Sequence, residues 1–213
     1  MPAMTEPDTR DKTTARRAWR HAPSVACFLI GAALLLAADL VTKSLAFERV
    51  AGEPVSLMRD ASGQLAPLPR HEATVLVPKV LALHLTANEG AVFGLGQGGR
   101  WIFIAFSIIA CAVIATVFAR GDSRSRLLHI TLAAILAGAL GNLYDRLRFG
   151  VVRDMLLLFP GVKLPFGWHW PDGSDGLYPW IFNIADACLV VGLVILMVLM
   201  YRADRAARSI ERR

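Results

Sequence analysis

Charged residues are scarce in this 213-residue chain, at 19% of the total, where a soluble domain carries about 25%. Hydrophobic residues reach 55% and mean hydropathy is +0.48, so the missing charge is replaced by apolar side chains. Cysteine is scarcer still. Cys27, Cys111 and Cys188 all fall inside apolar runs, which supports neither a disulfide framework nor a thiolate metal site. Proline (11) and glycine (17) are unexceptional and no repeat is visible, which excludes collagenous and disordered classes. His21, His71, His84, His129 and His169 are scattered, with no HExxH pair, so no metal site is expected. There is no GxSxG elbow and no P-loop.

What is present is a set of long apolar runs. A helix needs about 20 mostly apolar residues to cross a bilayer. Four stretches qualify or nearly so: 24–47, 101–119, 127–144 and 182–201. The third contains AGALGN, small residues that let helices pack closely. The expected fold is an all-α integral membrane protein of four transmembrane helices, comprising residues 24–201. Basic tails flank it at 1–23, expected to be disordered, and at 202–213. Loop 48–100 holds two runs of strand length, TVLVP and VLALHLT, and predicts a small outward-facing β-rich cradle. Loop 145–180 is rich in Trp, Tyr and Pro, which suits a segment at headgroup level.

The positive charge, net +6, sets the orientation. Arg10, Lys12, Arg16, Arg17 and Arg20 precede the first run; Arg120, Arg124 and Arg126 link the second and third; Arg202, Arg205, Arg208, Arg212 and Arg213 follow the fourth. Lys/Arg-rich segments stay cytoplasmic, which places both termini inside and the two long loops outside. The basic charge is thus a topology signal and a contact for anionic lipid, with no nucleic-acid partner expected. The start also fits a cleaved signal peptide, although apolar character resumes after Asp39.

With that orientation, the polar residues in and beside the spans gather at one depth. Asp39 and Lys43 close the first span, Asn142, Asp145 and Arg146 close the third, and Asn183 and Asp186 open the fourth. Asp154 sits in the apolar run VVRDMLLLF. Ionisable groups in spans are costly and point to function. Each also has a plain structural reading. Asp39 and Lys43 fit an intrahelical pair, Asn183 and Asp186 a helix cap, Arg146 a snorkelling side chain and Asn88 a turn beside Gly90. If two of these carboxylates share a proton, one can act as base towards water and the other as acid towards a leaving amine. A proton- or ion-coupled transporter would use the same residues, although it would place them at the midplane.

Four blocks occur in order: DLVTK (39–43), NEGAVFG (88–94), GNLYDRLRFGVVRD (141–154) and FNIAD (182–186). Together they resemble the signature blocks of the bacterial signal peptidase II family. The resemblance implies an intramembrane aspartic endopeptidase of the bacterial inner membrane. It would remove the signal peptide from diacylglyceryl-modified prolipoproteins, cleaving before the lipidated Cys. It further implies Asp154 and Asp186 as the catalytic pair. Asp39, Lys43, Asn88, Asn142, Arg146 and Asn183 would order the site or contact substrate. No cofactor is implied, and globomycin-type cyclic peptides would inhibit. Met155, Leu156, Leu157, Leu158 and Phe159 are expected to line the groove for lipid or signal helix. Two positions depart from the family pattern: Glu89 stands where a small or hydroxyl residue is usual, and Met155 where Phe is usual. The gaps 47–88 and 154–183 are also long. A non-catalytic homologue that binds lipoproteins is the remaining alternative.

Overall fold

The computed structural model of the chain describes residues 17–59, 64–90 and 99–211, with side chains to residue 209. It contains α1 (Ala22–Arg49), β1 (Thr74–Val77), β2 (Leu81–Asn88), α2 (Arg100–Arg120), α3 (Arg126–Arg148), β3 (Val152–Leu158), β4 (Ile181–Phe182) and α4 (Ile184–Glu211). All four helices are long and apolar enough to cross a membrane. Leu34, Ile102, Phe106, Val190 and Met200 are each more than half exposed. In water that belt would aggregate; in a bilayer it faces lipid. The protein is a multi-pass membrane protein.

The third helix is built differently. More than half of its apolar stretch is buried, and α1, α2 and α4 all pack on it. The reason lies in its small residues. A Cβ on Gly138 would collide with the Ala185 carbonyl oxygen of α4, and one on Gly141 with the Asp39 carboxylate and Ala185. Glycine at these two sites lets the start of α4 and the far end of α1 close onto one face of α3. By contrast, α2 and α4 pack little on each other, which leaves a gap between them.

The strands form one antiparallel sheet in the order β1-β2-β3-β4. The sheet rests on the end of α1 through a cluster of Ala46, Phe47, Leu85 and Met155. Strands β1 and β2 lie where the two loop runs predict them. Strands β3 and β4 extend the cradle from the other loop: β3 leaves α3 almost at once, and β4 leads straight into α4. Asp154 is therefore a strand residue, paired with Thr86. Met155 is a correction to the expected groove lining, since it is buried in the α1–sheet cluster. Adjacent residues on a strand point to opposite faces, so Met155 must turn inward when Asp154 faces the cleft. Leu156 also packs against that cluster, and of the run 155–159 only Leu158 lines the cleft.

At the opposite end, a 3-10 turn over Ala18–Arg20 leads into α1. The Ala18 amide donates to the Gly121 carbonyl (2.8 Å) and Ser24 Oγ to the Ser123 carbonyl (3.0 Å). These bonds, with Ala18 fully buried, order residues 17–23 and correct the expectation of a disordered tail there. Residues 1–16 and 212–213 lie outside the described residues. The segment 202–211 continues α4 as helix.

Candidate active site

Asp154 and Asp186 come from different elements, β3 and α4, and open into one cleft. Three asparagines hold them. Asn183, immediately before α4, donates through Nδ2 to Asp154 Oδ1 (2.6 Å), while its Oδ1 accepts the Asp186 amide (2.9 Å). The Asn183 amide in turn donates to Asp186 Oδ2 (3.3 Å). This is a reciprocal capping box at the start of α4. The expected cap is therefore present, and the same Asn183 side chain also reaches Asp154. Asn142 Nδ2 donates to Asp186 Oδ1 at 2.7 Å. Asn88 Nδ2 donates to Asp154 Oδ2 at 3.2 Å. Register explains that last contact: Asn88 pairs with Val152 and Thr86 with Asp154, which makes Asn88 and Asp154 diagonal neighbours on one face. Asn88 also forms the predicted turn, its Oδ1 accepting the Gly90 amide at 2.9 Å.

Behind the pair lies a buried ionic network. Lys43 Nζ forms ion pairs with Asp39 Oδ2 (2.7 Å) and Asp145 Oδ2 (3.2 Å) and donates to Asn142 Oδ1 (3.2 Å). Asp39 Oδ1 accepts the Ala185 amide at 2.8 Å, a second N-terminal contact for α4. The i,i+4 pair predicted for Asp39 and Lys43 thus exists, but it also ties α1 to α3 and α4. A cation against Asn142 Oδ1 fixes that amide with Nδ2 towards Asp186.

Arg146 does not snorkel. Its guanidinium donates to the Gly90 carbonyl (3.1 Å) and the Asn142 carbonyl (3.5 Å), and lies over the Phe103 ring. The structure thus brings together all eight sequence-predicted residues, but in two layers. Asn88, Asn142, Arg146, Asp154 and Asp186 line the cleft. Asp39, Lys43 and Asn183 are fully buried behind its wall. Residues 91–94 of the second signature block lie outside the described residues.

The cleft encloses about 1140 Å³, with walls from β2, α2, α4 and the segment before β4. Phe106, Ser107, Leu189 and Val190 carry it along the gap between α2 and α4. Burial raises the Asp154 carboxyl to about 8, with the facing Asp186 carboxylate adding to the effect. A pair so placed keeps a proton at neutral pH. Tyr178 in the cleft lining is also raised, by burial first and then by Asp186. Among the described residues, no group of three or more His, Cys, Asp and Glu has metal-site geometry.

Sequence reasoning missed Arg153. It is buried and forks onto Asp145 Oδ1 through Nε (3.2 Å) and a terminal nitrogen (2.9 Å), while its amide donates to Asp145 Oδ2 (3.0 Å). The available signal was a second charge beside Asp154 in an otherwise apolar run.

Four membrane-crossing helices around a pair of aspartates, Asp154 buried and Asp186 partly so, define a polytopic membrane protein with an aspartic-protease-like site. The model of the family described as "Signal peptidase (SPase) II" matches residues 31–202. This chain belongs to that family, the aspartic peptidases of lipoprotein processing. A lipoprotein signal peptidase of Desulfitobacterium hafniense is 38% identical over 140 residues, covering 66% of this chain and 82% of its own. One from Ectopseudomonas mendocina is 31% identical over 186 residues, 85% of this chain and 92% of its own. The fold is also similar to a bacterial membrane enzyme solved by the in meso method at 2.3 Å resolution. That match has TM-score 0.62 and 21% identity, covering 84% of this chain and 89% of the other.

Proposed function

We propose that this protein cuts diacylglyceryl-modified prolipoproteins immediately before the lipidated Cys, with Asp154 and Asp186 as the catalytic pair. One observation carries the reading: two carboxylates from separate elements, oriented by three amides, face an apolar cleft that continues between two membrane helices.

The ionised member takes a proton from water, whose oxygen attacks the scissile carbonyl carbon. The protonated member then donates to the amine nitrogen as the carbon–nitrogen bond breaks. Arg146, with its backbone partner Gly90, is placed to hold the substrate main chain and supply the orientation that such attack needs. A substrate anchored by lipid and signal helix enters sideways through the gap between α2 and α4. The basic residues at the far end of the bundle favour a cytoplasmic location for both termini. The pair then sits near the outer leaflet, where the lipidated Cys rests. A globomycin-type cyclic peptide would compete for the same cleft.

The test is cleavage of a diacylglyceryl-modified prolipoprotein by purified, detergent-solubilised protein, beside Asp154→Asn and Asp186→Asn. Cleavage before the lipidated Cys by wild type, lost in both variants and insensitive to chelator, supports the reading. Cleavage that survives either substitution removes that residue from the pair. No cleavage by folded wild type points to a lipoprotein-binding role.

A further inference from the structure

The pair does not sit alone in the protein's charge balance. Around it are Asp39 and Lys43 on α1, Asp145 and Arg146 on α3, Arg153 beside Asp154 on β3, Tyr178 before β4 and Asp186 on α4. Arg146 lines the cleft beside the pair without contacting either carboxylate. The other four charges form a closed set: Asp39 and Asp145 against Lys43 and Arg153, all nine-tenths or more buried. Their charges sum to zero only while Arg153 is present.

Arg153 occupies Asp145 Oδ1 completely with its fork, which leaves Oδ2 to its own amide and to Lys43. Phe149 lies under the guanidinium at 4.4 Å and Phe47 lies 6.0 Å away, so the fork is held in place. Lys43 Nζ, with Asn183 Nδ2, donates to Asn142 Oδ1, and Asn142 presents Nδ2 to Asp186. Take away the guanidinium, and Asp145 becomes a buried carboxylate with half its acceptors empty. It then competes with Asn142 for Lys43. An Asn142 amide released by Lys43 keeps only the Asn183 Nδ2 donor (3.2 Å) on its oxygen, and turning that oxygen towards Asp186 suits only a protonated carboxyl.

We propose that Arg153 is a positioning residue, which through Asp145, Lys43 and Asn142 sets the pH range over which the Asp154–Asp186 pair is competent. The same residue also fastens the first turn of β3 to the end of α3, which fixes where Asp154 begins. This rests on the reading of Asp154 and Asp186 as the catalytic pair, and its test is independent of the loss-of-cleavage variants that decide that reading.

The experiment is the pH dependence of kcat and KM for prolipoprotein cleavage by full-length protein in detergent. Arg153→Met leaves an excess negative charge beside the pair. Both limbs of the profile move up, by about one pH unit, and kcat falls about tenfold with KM little changed. Asp145→Asn leaves the opposite imbalance and moves the profile down. The double variant restores neutrality and returns the profile to its wild-type position, because replacing both partners of a buried pair is far milder than removing one. Arg153→Lys keeps the charge, and so the profile, while losing the fork and part of kcat. Should Arg153→Met fail to fold, Asp145→Asn decides: a downward shift supports the inference. Profiles that stay within a few tenths of a unit in every folded single variant would overturn it and leave Arg153 a packing residue.

Discussion

Asn183 stands between the two aspartates, donating to Asp154 Oδ1 at 2.6 Å with its side chain and to Asp186 Oδ2 at 3.3 Å with its backbone. One residue therefore sets the mutual position of two carboxylates 32 positions apart in sequence. It does so from the cap of α4, where the same side chain accepts the Asp186 amide.

Asn183→Ala removes the cap and the Asp154 donor together. A lost cap costs about 1 kcal/mol of stability, and a lost hydrogen bond to a carboxylate about 1.5–3 kcal/mol. We expect a lowered melting temperature in detergent and a fall in kcat on the order of 10- to 100-fold. Cleavage at the wild-type rate would show that Asp154 does not need this amide.

The raised Asp154 carboxyl makes stability pH-dependent. Its folded value, about 8, lies above the ordinary 3.8 because burial disfavours the charged form. The stability it supplies is whole below about pH 4 and drains away as pH climbs to about 8. Asp154→Asn stays neutral throughout. The melting-temperature difference, variant minus wild type, should therefore grow from pH 4 to pH 9. A flat difference would mean that the Asp154 carboxyl titrates alike in the folded and unfolded protein.

Helix packing at α3 has no room to spare. Gly138→Ala drives a methyl into the Ala185 carbonyl of α4, and Gly141→Ala drives one into Asp39. Overpacking of this kind costs about 1–3 kcal/mol. The two variants should melt lower than wild type, and Gly141→Ala should also lose activity, since Asp39 holds Lys43. Gly121→Ala serves as the control, its Cβ meeting only tight contacts with carbonyls 3.3 Å away at the helix end.

Glu89 has a local structural partner. Its carboxylate pairs with Arg59 at 3.0 Å, both about one-third exposed. Asn88 is held independently, by strand pairing and by its own turn with Gly90. Glu89→Ala should cost less than about 1 kcal/mol and leave kcat within a factor of a few. A loss of a hundredfold would assign Glu89 a role in the site itself.

The aromatic segment before β4 shows how local patterning can be informative without being complete. Trp170, Trp180, Tyr178 and Phe182 pack edge to face along it, braced by the Trp170 Nε1 bond to the Gly176 carbonyl (2.9 Å). Composition identified an aromatic surface there. It gave no sign that Tyr178 would line the cleft.

The four spans, the cradle hairpin and the gathering of Asp39, Lys43, Asn142, Arg146, Asn183 and Asp186 at one depth were all legible from the chain. Apolar run length and charge asymmetry are one-dimensional quantities that a bilayer converts directly into position. The pairing of Thr86 with Asp154, the burial of Met155, the fork of Arg153 on Asp145 and the division of the polar residues into cleft and backing layers came only from the fold. Each depends on strand register or on which face of a helix meets its neighbour. The run VVRDMLLLF carries no alternation to announce a strand, because the first four residues of β3 are buried on both faces. Residues chose the depth; packing chose the partners.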